Sequence, residues 1–498
     1  MNFQADKRSL DARPVPSWYQ DAKLGIFVHW GLYSVPAYAD PTSGDFADFM
    51  RDLTAGRDTA GRIPYAEWYL NSLRVPGSPT ARHHERTYGS DHSYFDFRRQ
   101  FDEGATRADF DAWAELFTEA GARYAVMVTR HLDGYPLWPT IVPNPHMPAN
   151  FHADRDLVGD LTAAVRARGL RMGLYYAGGI DWTFTDRPIR TMTDLMRAQS
   201  LGRDYGRYAA AHWRELIEAY QPSILWNDMG WPADPDPHEI FAFYYDRVGD
   251  GLVNDRWTQA STSRNKVFRA LYLAFVSAAL KAAARGGRKI TPPTPTFHHD
   301  IRTHEYDVPR TPVTSAWELT RGIGRSFGYN AEEPAGDLLT GTDLVCLLAE
   351  VASLGGNLLI NVGPDGQGRI PASQQRPLRE LGAWLKVHGE AIYGTRSWTR
   401  PETTTGDGQR VRLTHRVDPG PGDGNGTGDT VYAILLTESL GDNIVVRDLA
   451  ALAGRRRIRL LGTDADLDHA WSGPDLHVRL PAPPPHRAAH VLALTVEP

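Results

Sequence analysis

Cysteine is nearly absent from this chain: Cys346 is the only one in 498 residues, so no intrachain disulfide framework can hold the fold together. It sits in the apolar run 344–348 (LVCLL), where a buried, inert thiol is expected rather than a reactive one. Long apolar runs are missing too, since no stretch reaches the ~18 apolar residues that a membrane-spanning helix needs. The opening residues MNFQADKRSL lack the apolar core of a secretion signal, and a cytoplasmic location with no membrane partner is the expectation. Basic runs are short, with RRR at 455–457 the most prominent, and the formal net charge is −6. No nucleic-acid partner is expected from such a balance. Histidine pairs occur at His83–His84, read as part of a polar loop, and at His298–His299 beside Asp300. The first has no third ligand at metal-binding spacing, the second reads as a lining or structural segment, and the segment 363–368 (GPDGQG) lacks the Lys-Ser/Thr ending of a phosphate loop. No metal and no cofactor are expected.

What the chain does have is length and periodicity. At 498 residues it is too long for one ordinary core and implies at least two domains. Nearly continuous apolar runs at 24–29, 124–129, 171–176, 223–226 and 357–362 read as strands covered on both faces. Amphipathic helical patterns such as 110–117 and 157–165 lie between them. Alternation of this kind over residues 1–395 predicts a (β/α)8-like barrel, whose chemistry sits at the C-terminal ends of its strands. Those ends carry His29, Arg130 and His131, Tyr175, and Asp228. After residue 395 the texture changes to short alternating pieces such as 411–414 and 431–436, which predict an all-β sandwich over 396–498. The Gly/Pro/Asp-rich stretch 418–429 reads as a mobile loop.

Two carboxylates carry the strongest chemical signal: Asp228 in LWNDMGW (225–231) and Glu305 in THEY (303–306), both crowded by Trp, Tyr and His. A retaining glycosidase needs one carboxylate to attack a sugar carbon and one carboxylic acid to protonate the leaving oxygen, ~5–5.5 Å apart. Around them, KLGIFVHWGL (23–32), EWY (67–69), HLDGYPLW (131–138), GLYYAGGIDW (173–182), VNDRW (253–257), SFGYN (326–330) and GGNLLINVGP (355–364) occur in order. In that order and spacing the chain resembles the α-L-fucosidases of glycoside hydrolase family 29, whose fold is a barrel-like catalytic domain followed by a β-sandwich. The resemblance implies a retaining exo-hydrolase of terminal α-L-fucose that works through a covalent glycosyl-enzyme. It matches Asp228 to the nucleophile, Glu305 to the acid/base, and Arg256 to a cation beside the nucleophile. It matches His29, Glu67, Trp68, His131, Tyr175, Trp226 and Phe327 to positions that hold the sugar, with Trp226 or Phe327 as a wall for its C5-methyl group. The partner implied is a fucosylated oligosaccharide or glycoside.

Two departures from that pattern stand out. Leu132 occupies a position where the family commonly has a histidine, so either His298, His299 or His304 fills in, or the glycone differs at that hydroxyl. The corresponding alternative is an exo-glycosidase for α-L-galactosides or β-D-arabinopyranosides; a non-catalytic sugar-binding protein is the alternative from a different class. The second departure is an inserted helical segment at about 258–295, strongly apolar over 267–284. It could form a lid, a wall of the leaving-group subsite or a homo-oligomer contact. So apolar a helix is expected to be packed away, which favours an interface or packing role over a mobile lid.

Overall fold

Side chains of Leu24–Val28 are apolar and buried at every position, which a strand achieves only with cover on both faces. The computed structural model describes residues 3–495 apart from positions 43, 45, 56, 58–62, 200–201, 260–265, 286–295, 419–427, 454–456, 464–465, 483 and 486. In it this segment is β1. It joins β2 (Tyr124–Arg130), β3 (Arg171–Ala177), β4 (Ile224–Asp228), β5 (Leu252–Val253), β6 (Arg302–Glu305), β7 (Trp317–Gly322) and β8 (Asn357–Val362). Together they make one curled parallel sheet in the order β5-β4-β3-β2-β1-β8-β7-β6. Its outer edges meet: Asn254 and Ile301 form a parallel bridge, and the Val253 carbonyl accepts from the amides of Asp300 (2.8 Å) and Ile301 (3.2 Å).

Helices such as Phe110–Glu119, Leu157–Ala167 and Gly341–Ser353 cover the strands. Their starts are set by capping side chains: Asp109 accepts from the Ala112 amide, Asp156 from Gly159, and Thr340 from Asp343. Cys346, on the last of these helices, is half-buried rather than buried, because its turn presents Leu344, Val345 and Leu348 to the core instead. Burial still pushes its thiol up, away from the reactive thiolate. The pair His83–His84 lies on the helix Pro79–Tyr88, not in a loop. His84 is bonded by Tyr69 Oη (2.9 Å) and the His92 carbonyl (2.8 Å), while His83 stacks on Tyr38.

The inserted segment contains the helix Lys266–Arg285, which rests against the helices Phe46–Ala55 and Met192–Ala198. It is not packed away within the chain: Leu271 is 66% and Phe275 73% exposed. The Gly- and Pro-rich end of the insertion at 286–295 and most of the loop expected to be mobile, 419–427, lie outside the described residues.

From Arg396 onward every strand pairs antiparallel. The strands are β9 (Arg396–Thr404), β10 (Arg410–Asp418), β11 (Gly428–Leu435), β12 (Asn443–Val446), β13 (Arg457–Leu460), β14 (Asp468–Ser472), β15 (Asp475–Arg479) and β16 (His490–Thr495). They form a five-stranded sheet, β13-β16-β11-β10-β9, and a three-stranded one, β12-β15-β14. A separate apolar core including Val411, Leu413, Val431, Ile444 and Val478 joins the two. Trp384 Nε1 donates to the Ala489 carbonyl (2.9 Å) and ties this unit to the last barrel helix.

Candidate active site

Alternation along β4 sends Trp226 and Asp228 to the barrel interior and Asn227 the other way. Asn227 holds the turn beyond the strand: its Nδ2 donates to the carbonyls of Gly230 (2.8 Å) and Arg256 (3.1 Å). Asp228 thus stands at the C-terminal end of its strand with the Arg256 backbone tied beside it. The chain then turns sharply, with Met229 in the left-handed region at φ 59°. The same happens after the second carboxylate, where Tyr306 has φ 55°. A non-glycine residue there costs ~1–2 kcal/mol, so both carboxylates sit at strained turns that the surrounding structure must hold.

Each oxygen of Asp228 has its own donor: Arg256 Nη1 at 3.1 Å from Oδ1 and the Tyr175 hydroxyl at 2.9 Å from Oδ2. The other guanidinium nitrogen of Arg256, Nη2, donates to Glu305 Oε2 at 2.7 Å. Glu305 Oε1 lies 3.2 Å from the Tyr65 hydroxyl. One guanidinium therefore spans both carboxylates. Burial acts to lower the Arg256 pKa, but Glu305 and Asp228 outweigh it, and the guanidinium stays charged. Asp255, the neighbour that could have formed a purely structural pair with Arg256, instead accepts from the Thr303 amide (3.1 Å).

The polar wall is mostly neutral. Burial lowers His29 to about 3. Asn361 Nδ2 donates to the Phe327 carbonyl (2.6 Å), which turns its Oδ1 toward His29 Nδ1 at 2.7 Å. Nδ1 must then carry the proton, leaving Nε2 as an acceptor. His131 is likewise held well below its ordinary value by burial, with His29 and Arg130 adding to the effect. Its ring stacks on Tyr175, 5.7 Å between centroids and 12° between planes. Glu67, on the short turn Ala66–Trp68, accepts the Gly328 amide at 2.7 Å, and burial pushes its carboxyl up to about 7.

Apolar rings supply the rest. Trp226 stacks on Tyr175 (5.4 Å, 25°), Phe327 lies 4.9 Å from the His29 ring, and Trp68 meets Trp182 edge-on at 5.7 Å. All ten residues singled out in the sequence, His29, Glu67, Trp68, His131, Tyr175, Trp226, Asp228, Arg256, Glu305 and Phe327, line this one cleft. Phe27, Tyr65, Met229 and Thr320 line it with them, and Asn361 acts from behind His29. Sequence reasoning missed these. Tyr65 had a usable signal, standing two residues before Glu67 and immediately ahead of the same short turn.

Leu132 does not line the cleft. It is fully buried in the core, and its carbonyl accepts from the Trp182 amide (2.7 Å). Nor do the proposed substitutes reach the cleft. His298 pairs with Tyr245 and Asp11, His299 bonds the Phe297 carbonyl, and His304 packs on Trp317. Among the described residues no group of His, Cys, Asp and Glu is arranged to hold a metal ion. Two carboxylates on one guanidinium, facing a cleft of rings and neutral imidazoles, are the equipment for displacement at a sugar carbon.

Comparison with known proteins agrees with this chemistry. A family model described as α-L-fucosidase matches residues 1–390. The α-L-fucosidase of Dictyostelium discoideum is 28% identical, over 98% of this chain and 94% of its own. That of Branchiostoma floridae is 30% identical, over 86% of this chain and 80% of its own. The solved structure of Thermotoga maritima α-fucosidase with a mechanism-based inhibitor is 37% identical, covers 99% of this chain and 100% of that one, and superimposes with a TM-score of 0.80. A complex of the same enzyme with fucose has a TM-score of 0.78 at the same identity and coverage. By the family model and by these relatives, this chain belongs to the α-L-fucosidase family.

Proposed function

We propose that this chain hydrolyses terminal α-L-fucosyl groups from fucosylated glycosides by double displacement, with retention at the anomeric carbon. The observation that carries the reading is the Arg256 guanidinium shared between Asp228 (3.1 Å) and Glu305 (2.7 Å). In the first step Asp228 attacks the anomeric carbon and the bond to the leaving oxygen breaks, while Glu305 gives that oxygen its proton. Since Oε2 receives the Arg256 N–H, the acidic proton belongs on Oε1, beside Tyr65. In the second step Glu305 takes a proton from water, the water oxygen bonds the anomeric carbon, and Asp228 leaves as a carboxylate.

The cleft suits the glycone. Neutral His29 offers Nε2 to a sugar hydroxyl, His131 and Glu67 stand beside it, and Trp226 and Phe327 give an apolar wall for the C5-methyl group. The case for a different glycone rested on Leu132, which is buried away from the cleft, so it has no observation behind it.

Hydrolysis of 4-nitrophenyl α-L-fucoside tests the proposal. The parent turns it over, Asp228→Gly does not, and added azide restores reaction with a β-fucosyl azide product. A well-folded parent with no turnover overturns the reading.

A further inference from the structure

Glu318 is a fully buried carboxylate inside the barrel, one alternation below Thr320 on β7 and outside the cleft. Its oxygens gather side chains from around the ring. Oε1 accepts from Trp226 Nε1 (2.6 Å) on β4 and from Thr303 Oγ1 (3.4 Å) on β6. Oε2 accepts from Tyr19 Oη (2.9 Å) and from Tyr124 Oη (3.4 Å) at the start of β2. β4 ends in Asp228 and β6 ends in Glu305. One carboxylate thus fastens together the two strands that bear the reacting pair.

The shortest of these bonds goes to the ring that matters most. The Trp226 indole stacks on Tyr175 on one side, and the Arg256 guanidinium lies 5.0 Å from its centroid. Tyr175 and Arg256 are the two donors to Asp228. Rotation of the indole by even a modest angle would move both. Packing by Phe27, 5.0 Å away, and the bond from Nε1 to Glu318 together hold the indole against rotation about its side-chain bonds.

We infer that Glu318 is a positioning residue for the reaction, acting through the Trp226 indole to set Tyr175 and Arg256 on Asp228. This rests on the function proposed above, and touches no substrate atom. A role of this kind depends on where the Glu318 oxygen is, not on its charge.

Two substitutions separate those possibilities. Glu318→Gln keeps the length and an oxygen for the indole but loses the charge; Glu318→Asp keeps the charge but withdraws the oxygen. Steady-state kinetics are measured for both, alone and with Trp226→Phe, which removes the same hydrogen bond from the other side. The expected result is that Glu318→Gln keeps at least a third of the parent kcat. Glu318→Asp should lose about tenfold in kcat with KM changed less than threefold, and Trp226→Phe alone should lose a similar factor. In the Trp226→Phe background Glu318→Asp should cost less than a further threefold. Retention of activity by Asp but not Gln, equal losses in both backgrounds, or a fall in thermal stability with kcat unchanged in every variant would each overturn the inference. Parent turnover, scored separately on the fucoside, galactoside and arabinopyranoside, decides the proposed glycone; the cycle is then read on whichever is cleaved.

Discussion

The Tyr175 hydroxyl meets Asp228 at Oδ2, the oxygen that Arg256 does not use. Burial and the Asp228 charge hold that hydroxyl well above the ordinary tyrosine range, so it remains a donor at any working pH. A donor on a carboxylate makes it a poorer nucleophile and a better leaving group. Tyr175→Phe should therefore slow release of the sugar from Asp228 more than its capture. A hydrogen bond to a charged group is worth ~1.5–3 kcal/mol, or roughly 10- to 100-fold. The expected signature is a burst of 4-nitrophenol followed by a kcat lowered within that range, with KM falling in parallel. A lowered kcat without a burst would count against this assignment of the slow step.

Arg256 reaches its two carboxylates with separate nitrogens of one rigid plane. Lysine has a single nitrogen on a flexible stem and cannot reproduce the fork. Arg256→Lys should lower kcat/KM by about 100-fold, corresponding to ~3 kcal/mol of lost transition-state stabilisation. Recovery to within tenfold of the parent would mean that charge alone, not the shared geometry, is what the site uses.

His29 owes its tautomer to Asn361, and a carboxylate at that position would reverse the preference. Asn361→Asp places a negative charge on Nδ1, favours the imidazolium, and draws the His29 pKa upward from about 3. Below the new value Nε2 carries a proton and cannot accept from a sugar hydroxyl. KM of this variant should rise about tenfold, a loss of ~1.4 kcal/mol in binding, as pH falls from 8 to 5. In the parent His29 is neutral throughout that range and contributes no such rise. Parallel KM profiles for the two proteins would show that Nε2 is not an acceptor for substrate.

Placing a histidine at Leu132, as the family pattern would suggest, should not improve binding. The side chain is 0% exposed and belongs to the main core. An unpartnered imidazole buried there costs ~1–3 kcal/mol. Leu132→His is expected to lower unfolding stability by that amount while KM stays within twofold. A clear drop in KM would show that position 132 does reach the glycone.

Legibility in the sequence tracked burial. β1, β2, β3, β4 and β8 are almost wholly apolar and announced themselves, and their C-terminal ends led directly to His29, His131, Tyr175 and Asp228. The remaining three did not. β5 is two residues long, β6 reads Arg-Thr-His-Glu, and β7 interrupts its apolar pattern with Glu318 and Thr320. Of these, Glu318 bonds Trp226 across the barrel and Thr320 lines the cleft, partnerships that no local pattern expresses. Asn361 was hidden for the same reason: its meaning lies in His29, 332 residues away. Glu305 was legible because it stands in a short aromatic segment, although a long insertion separates it from Arg256.

Glu67 should make stability depend on pH in a particular direction. Burial raises its carboxyl from the ordinary 4.5 to about 7; the Gly328 amide and Ser326 pull the other way, and the Glu305 charge adds to the rise. A carboxyl whose pKa is higher in the folded state is bound to its proton more tightly there than in the unfolded chain. Its contribution is fully present below the unfolded value and is lost as pH climbs through the folded one. Between about pH 4.5 and 7 the parent should thus lose stability relative to Glu67→Gln, by on the order of 3 kcal/mol for this fully buried group. Urea unfolding of both proteins at half-unit intervals across that window gives the difference directly, since ionisations shared by the two cancel. The gap should widen with rising pH in favour of the glutamine variant and level off above about 8. A gap that stays constant, or that narrows, would mean that Glu67 is ionised in the folded protein throughout and that the Gly328 amide, not burial, governs its charge.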